Sequence, residues 1–232
     1  MTLTIASRFR GPSSSGNGGY VSGSLAEHVD AAVVTVTLRR PPPLDVTLDV
    51  APADDGGVRL LHDGELVAEA VPGDDAPLSA VPAVSQSDAS AAAAEYPGLR
   101  AHPFPECFVC GPSRAPGDGM RLFPGRLGDG RTACVWVPSA DVTDESGAVP
   151  ARFVWAALDC PGGWSAPIEG RPMVLGRLTA EVRATPDVGA ECVVMGQMLG
   201  AEGRKTWTAT TVYAEDGQVV GRAYATWITV DA

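Results

Sequence analysis

Residues 61–68 read LHDGELVA, and residues 214–221 read AEDGQVVG. In each stretch an Asp-Gly pair separates two strand-like segments, and this arrangement predicts a β-hairpin with a type I′ turn. Because the same pattern occurs once in each half of the chain, we interpret it as one folding unit that is used twice.

Further strands extend outward from both hairpins. In the first half, residues 33–40 and 44–50 alternate like strands and are separated by three prolines. In the second half, residues 174–183 and 191–199 show the same alternation. Short apolar runs broken by turn residues are typical of antiparallel sheets.

Each half also contains a helix candidate ahead of its strands. In the first half we expect a helix over residues 21–29, with Ser22 or Ser24 as its N-cap. In the second half we expect a helix over residues 150–166. Pro161 should kink it near residues 159–161, because proline lacks an N–H and its ring clashes with the preceding turn.

Each half therefore reads as an early strand, a helix and about four antiparallel strands. We predict an α+β fold of the double hotdog type, in which two curled antiparallel sheets each wrap a central helix. The expected boundaries are an N-terminal unit at residues 1–72, a connector at 73–105 with a short helix at 85–95, and a C-terminal unit at 106–232. Another all-β layout, such as two small barrels, is the alternative.

Composition excludes several classes of partner. The net charge of −11 and the scattered arginines argue against nucleic acid, whose recognition needs clustered cations. The sequence contains no run of about 18 uncharged apolar residues, so we expect no membrane span. Residues 1–10 lack the pattern of a signal peptide, so we expect a cytoplasmic protein.

The five cysteines indicate a reducing compartment, because their number is odd and their spacing forms no disulfide framework. Cys107 and Cys110 form a CxxC motif, and His102 lies just upstream. A structural zinc site usually needs four ligands, and the chain has no second CxxC or CxxH. We therefore favour two half-buried thiols in a tight turn before Gly111, and we expect no metal and no cofactor.

Two segments carry a family resemblance. Residues 107–112, CFVCGP, followed by residues 117–122, GDGMRL, resemble the opening of hotdog proteins of the phenylacetic-acid-pathway thioesterase type. Residues 154–166, VWAALDCPGGWSA, are similar to the central helix of those enzymes. That helix begins with His-Gly-Gly and carries an acidic residue about nine positions later, which corresponds to Asp159. The resemblance covers residues 105–230 well and implies hydrolysis of an acyl thioester.

The chain departs from this pattern in a complementary way. At the His-Gly-Gly position the second half has Pro-Ala-Arg at residues 150–152, and proline offers no N–H. In the first half, Ser-Gly-Ser at residues 22–24 stands at that position, and Asn17 precedes it. The family's dimers take the acid from one subunit and the oxyanion donors from the other. We therefore expect one composite site of Asn17, Gly23 and Asp159, with an inactive mirror-image site.

Each expected catalytic residue has a role and an alternative. The N–H of Gly23 at a helix N-terminus would stabilise an oxyanion, and Asn17 would position water or substrate. Asp159 would deprotonate water or attack the thioester directly. Alternatively, Asp159 caps a helix turn that restarts at Pro161, and Asn17 and Gly23 only shape a turn.

Five further residues are candidates for substrate contact. Phe153, Trp155 and Ser24 would lie beside the acyl group, although tryptophans are more often core residues. Arg204 and Lys205, in a predicted hairpin, would meet coenzyme A phosphates.

We rank three candidate functions. The first is an enzyme that hydrolyses an acyl thioester carried by coenzyme A or a carrier protein, and the second is a non-catalytic protein that binds or scaffolds acyl thioesters. The third is an enoyl-thioester hydratase or dehydratase, ranked last because the second half has no histidine. A tandem chain can act alone or form a homodimer through its sheet edges.

Overall fold

The computed structural model describes residues 1–230, and within that range the strands form one antiparallel sheet. The strands are β1 (Thr2–Thr4), β2 (Val33–Leu38), β3 (Thr47–Pro52), β4 (Val58–His62), β5 (Glu65–Pro72), β6 (Gly125–Arg126), β7 (Arg131–Trp136), β8 (Met173–Val182), β9 (Cys192–Glu202), β10 (Lys205–Tyr213) and β11 (Val219–Thr229). The α-helices are α1 (Gly18–Ala26), α2 (Gln86–Ala94), α3 (Ala151–Ala157) and α4 (Cys160–Gly163). Among residues 1–230, none of the helices has the length and apolar character needed to cross a membrane.

The strand order is nearly the same on both sides of the sheet's centre. The sheet runs β1-β3-β4-β5-β2-β8-β11-β10-β9-β7-β6. Read outward from the centre, β2-β5-β4-β3-β1 is therefore matched by β8-β11-β10-β9-β7. At the centre β2 pairs antiparallel with β8, and Val36 lies opposite Leu178 with both side chains fully buried. The two halves thus share one continuous sheet.

Helices α1, α3 and α4 belong to the main core on one face of the sheet. The contact between α1 and α3 is close because two glycines of α1 face the other helix. A Cβ on Gly23 would lie 2.6 Å from the Cα of Arg152, and a Cβ on Gly19 would lie 2.5 Å from the Cβ of Asp159. Side chains at these two positions would push the helices apart.

The connector covers the opposite face of the sheet in the second half. Its helix α2 begins after Ser85, the N-cap, whose side chain accepts a hydrogen bond from the N–H of Asp88. A second apolar cluster joins the connector to the sheet through Val81, Ala89, Ala92, Ala133, Val193, Met195 and Ala209. The connector therefore buries apolar surface instead of acting as a free linker.

The first Asp-Gly hairpin has the predicted turn, and the second does not. Asp63 and Gly64 both have positive φ, 51° and 80°, as a type I′ turn requires. In the second hairpin only Gly217 has positive φ, and its N–H bonds to the carbonyl of Ala214. Five residues separate the paired residues Tyr213 and Val219, so the connection is too long for a two-residue turn.

Helix α1 begins earlier than predicted, at Gly18 and not at Val21. Its N-cap is Asn17, whose side-chain oxygen accepts the N–H of Tyr20 at 2.9 Å, and not Ser22 or Ser24. The prediction was wrong because two glycines are poor helix formers by propensity, while the asparagine cap outweighs that preference.

The predicted break in the second helix is confirmed. Helix α3 ends at Ala157 and α4 begins at Cys160, so that Leu158 and Asp159 lie between the two helices. Pro161 in the first turn of α4 accounts for the break, since the residue cannot continue the hydrogen-bond ladder of α3. The break turns the Asp159 side chain towards α1.

Candidate functional site

The carboxylate of Asp159 is bound by the N-terminal end of α1. Its Oδ2 accepts hydrogen bonds from the Asn17 side-chain amide and from the Gly19 N–H, both at 2.9 Å. It makes no capping hydrogen bond to its own helix α4, so the interpretation of Asp159 as a simple cap was wrong. Residues 142 positions apart in the sequence are thereby joined in one buried polar group.

The other carboxylate oxygen of Asp159 has no partner. Oδ1 is buried and makes no hydrogen bond among the described residues. Burial raises the pKa of Asp159 to about 7, against the lowering effect of the hydrogen bonds from Gly19 and Asn17. A carboxylate that is fixed through one oxygen and free at the other can accept a proton or form a bond at the free oxygen.

The side chain of Asn17 has two contacts that fix its orientation. Its oxygen caps α1 through Tyr20, and its nitrogen donates to Asp159. The same nitrogen lies 3.8 Å from the Sγ atoms of both Cys107 and Cys160. Asn17 therefore shapes the helix start and also orients the acid, and its predicted role in positioning water or substrate stays a prediction.

The helix start contains Asn17-Gly18-Gly19, and Gly23 is not part of it. Gly23 lies in the middle of α1 against α3, so its predicted placement at the helix N-terminus was wrong. The error came from placing Ser-Gly-Ser at the His-Gly-Gly position, whereas the amide followed by two glycines was the better signal. The N–H of Gly19 is used by Asp159, and the N–H of Gly18 has no acceptor within residues 1–230.

A cavity of about 450 Å³ opens beside this helix start. Asn17, Gly18 and Asp159 contribute to its wall. Most of the remaining lining is apolar and includes Phe104, Trp164, Ile168, Met173, Leu175 and Trp227. A cavity of this size with a few polar groups at one place is typical of a small-molecule site.

Three of the predicted substrate contacts lie elsewhere. Phe153 is buried in an aromatic cluster with Phe9, Tyr20 and Phe108. Trp155 packs against Gly23, and the Ser24 hydroxyl donates to a backbone carbonyl within α1. None of the three lines the cavity. Helix α3 turns this side towards α1 and the core, so these residues stabilise the helix pair.

Arg204 and Lys205 do not line the cavity either. They lie at the exposed turn between β9 and β10, where Arg204 donates to the carbonyl of Thr229. The cations at the cavity wall are Arg39 and Arg40, which follow β2. Each forms an ion pair with a glutamate of β5. Sequence spacing gave no signal for them, because the end of β2 reaches the cavity only in the folded sheet.

The corresponding place at the start of α3 lacks the same groups. Its N-cap is Pro150, which has no N–H to donate. In the second half Asp159 lies nine positions after Pro150. The equivalent position in the first half, nine after Asn17, is Ala26, which has no acidic group. Asp30, the first aspartate after α1, is exposed.

Three thiols meet at the wall of the cavity. The Sγ atoms of Cys107, Cys110 and Cys160 all lie within 4.8 Å of one another, and all three residues are buried. The prediction of two half-buried thiols in a turn was wrong, because it missed that α4 brings Cys160 onto the CxxC loop. The neighbouring thiols of Cys110 and Cys160 hold the pKa of Cys107 well below its usual range.

The sequence matches no protein-family model and no curated protein. The similarities lie with solved structures. A protein of Novosphingobium aromaticivorans designated a thioesterase has a TM-score of 0.65 at 13% identity, covering 99% of this chain and 95% of that one. The tesB protein of Mycobacterium avium subs paratuberculosis has a TM-score of 0.62 at 13% identity, covering 99% of this chain and 92% of that one.

A third similar structure is described as a hot dog fold. A conserved protein of unknown function with hot dog fold, from Alicyclobacillus acidocaldarius, has a TM-score of 0.55 at 11% identity and covers 100% of this chain and 93% of that one. At these identities the likeness concerns the fold. The chain therefore has an α+β hot-dog fold, similar to that of these solved proteins.

Proposed function

We propose that this protein hydrolyses an acyl thioester at the site formed by Asn17, Gly18 and Asp159. The observation that carries the proposal is the buried Asp159 carboxylate, which is fixed through Oδ2 and unpartnered at Oδ1. It lies at the wall of a mainly apolar cavity beside a helix N-terminus. The thioesterase designation of the Novosphingobium aromaticivorans protein supports this class of reaction.

The chemistry follows from the groups at the helix start. The thioester carbonyl would accept the Gly18 N–H, and the N-terminal end of α1 would stabilise the oxyanion that develops. One such donor contributes a factor of about 10²–10³ in rate. Water would attack the carbonyl carbon while Oδ1 of Asp159 takes its proton. The C–S bond then breaks, and the leaving thiolate receives the proton.

Direct attack by Asp159 is the other route. Oδ1 would form an anhydride with the acyl group and release the thiol, and water would then hydrolyse the anhydride. In both routes Asn17 acts as a positioning residue, because its amide fixes the other carboxylate oxygen. Both routes use Oδ1 of Asp159, which is available for them because it has no hydrogen-bond partner among the described residues.

We further infer that the chain consists of two hot-dog units, a double hotdog, in one polypeptide. The mirrored strand order about the β2–β8 pair supports this reading. The boundaries at 1–72, 73–105 and 106–232 stay a prediction, and positions 231 and 232 lie outside the described residues. One composite site would remain active, since the start of α3 has a proline where α1 has Asn17.

The acyl group would occupy the apolar cavity, next to Trp164, Leu175 and Trp227. The carrier, coenzyme A or an acyl-carrier protein, would lie outside it near Arg39 and Arg40, whose guanidinium groups suit phosphate. Their ion pairs with β5 glutamates would have to rearrange for that contact. Hydrolysis of the acyl thioester in this scheme uses no cofactor.

An enoyl-thioester hydratase ranks below the hydrolase. His102, from the connector, does line the cavity with Asp159, although the second half itself has no histidine. However, Nδ1 of His102 accepts the Phe104 N–H at 2.8 Å, and Nε2 lies 3.3 Å from the Sγ of Cys110. Both ring nitrogens are therefore occupied. Enoyl-coenzyme A belongs in the substrate panel to test this alternative.

The test compares the wild type with Asp159→Asn on short, long, aromatic and enoyl acyl-coenzyme A compounds. We expect kcat to fall by about 10²–10³ in the variant, in line with the loss of a general base. Asp54→Asn, at an exposed position without a site contact, is the matched control and should keep full activity. Equal melting temperatures would show that the variants fold.

Two results would contradict the hydrolase. Undiminished turnover in Asp159→Asn would remove the acid from the mechanism. Absence of turnover with every substrate, together with a ligand-induced rise in melting temperature, would instead identify a non-catalytic acyl-thioester binding protein.

A further inference from the structure

We infer that Cys107, Cys110 and Cys160 together bind one thiophilic divalent cation, such as Zn²⁺. Thiolates prefer this class of ion, and in a tetrahedral zinc site with bonds of about 2.3 Å the sulfur atoms lie about 3.8 Å apart. The Sγ atoms of Cys107 and Cys160 are 3.8 Å apart, and all three sulfurs fall within 4.8 Å of one another. The spacing therefore fits a cation held between them.

The chain builds this cluster from two distant segments. The CxxC loop is closed by a hydrogen bond from the Gly111 N–H to the carbonyl of Cys107 at 2.8 Å. A Cβ on Gly111 would lie 2.5 Å from backbone atoms of Cys107, so a glycine is needed for this tight curl. Cys160 is the first residue of α4, 53 positions after Cys107. The break at Asp159 thus also delivers the third sulfur.

Hydrogen-bond donors surround the sulfurs. Asn17 Nδ2 lies 3.8 Å from the Sγ atoms of Cys107 and Cys160. Nδ1 of His102 accepts the Phe104 N–H, so the proton of a neutral ring is on Nε2. Nε2 lies 3.3 Å from the Sγ of Cys110. His102 is therefore a donor to a thiolate and not a fourth ligand. Such donors stabilise negative sulfur and tune the bound ion.

Three protein ligands leave one position of a tetrahedral ion unfilled. All three cysteines line the cavity, so that position would take a molecule from the cavity. Sites with three protein ligands and an exchangeable fourth are typical of catalytic zinc. A thiol has suitable chemistry for this position, and its identity as the leaving group of a thioester rests on the proposed function. Metal binding itself does not.

Metal content is the first measurement. We expect the full chain, purified under reducing conditions without chelator, to contain about one equivalent of zinc by mass spectrometry, matching the one cysteine cluster found among residues 1–230. Cys107→Ser and Cys160→Ser should each lower occupancy at least tenfold, by removal of a ligand. Cys134→Ser and Cys192→Ser are the matched controls, because both residues are buried in strands outside the cluster. His102→Gln should keep the metal.

Cobalt provides a second readout on the wild-type protein, which stays valid if a cysteine variant fails to fold. Co²⁺ added to the reduced apoprotein should give intense tetrahedral d–d bands and a sulfur-to-cobalt charge-transfer band. Addition of ethanethiol should change the visible spectrum if the fourth position is open to the cavity. An unchanged spectrum would contradict the open position.

Several outcomes would overturn the site. They are a wild type without metal that gives no thiolate–cobalt spectrum, equal occupancy in Cys160→Ser, or loss of two free thiols to a disulfide together with no metal uptake after reduction. Because these readouts do not use turnover, failure of the metal site is distinguishable from failure of thioester hydrolysis. A protein that binds zinc and hydrolyses nothing would keep this inference and remove the proposed function.

Discussion

At the scale of single residues, Asn17 links stability to the site. Its oxygen caps α1 and its nitrogen holds Asp159, so a single amide serves two elements. An aspartate would cap the helix equally well, but an ionised carboxylate has no donor to offer to Asp159. This requirement explains why an amide stands at the start of α1.

Replacement of Asn17 by alanine should therefore affect both properties. We expect a loss of about 1–2 kcal/mol in the free energy of unfolding, as for other N-caps, measured by urea denaturation. In addition, kcat should fall by at least tenfold, since Asp159 loses a neutral donor that positions its carboxylate. Ser85→Ala removes the N-cap of α2, away from the cavity, and should reduce stability without changing kcat. A parallel loss of kcat in both variants would contradict the positioning role.

At the scale of elements, the contact of α1 with α3 determines where the site groups meet. Gly19 and Gly23 allow the two helices to approach until backbone atoms nearly touch. The acid comes from the end of one helix and its donors come from the start of the other. A small separation of the helices therefore acts directly on the hydrogen bonds of Asp159.

Gly23→Ala tests this dependence. The new Cβ would lie 2.6 Å from the Cα of Arg152, so backbone has to move and overpacking should cost about 1–3 kcal/mol. The measurement is the midpoint of urea denaturation. The slope of the transition should be the same in the variant and the wild type. Gly170→Ala meets nothing within 4 Å and should leave the midpoint unchanged. Equal midpoints for the two variants would show that the helix contact tolerates a methyl group.

Local patterns predicted the elements better than the contacts between them. The strands, the first Asp-Gly turn and the break at Pro161 follow from propensities within a few residues, and all are present. The start of α1 was displaced because glycine propensity and capping oppose each other at residues 17–19. The meeting of Cys160 with the CxxC loop, and the burial of Phe153 and Trp155 away from the cavity, depend on tertiary packing that periodicity does not contain.

At the scale of the whole molecule, the sheet continues from one half to the other through β2 and β8. Fully buried residues, Val36 and Leu178, lie at this junction. The outermost strands β1 and β6 are only three and two residues long, which limits pairing with other chains. Formation of a homodimer stays a prediction.

The continuous core should make the two halves unfold together. All five tryptophans lie between residues 136 and 227, so their fluorescence reports the second half, whereas far-ultraviolet circular dichroism reports both halves. We expect the two urea transitions to coincide, as in a two-state protein. Separate midpoints would show that the halves are independent domains. The wild-type chain is sufficient for this measurement.

The covalent connection between Asn17 and Asp159 also has a consequence at low concentration. These residues belong to one polypeptide, separated by 142 positions, so their encounter is governed by folding and not by a dissociation constant. A centre assembled from two separate chains would disappear on dilution below its association threshold. Here every folded molecule keeps the pair intact, however scarce the protein becomes.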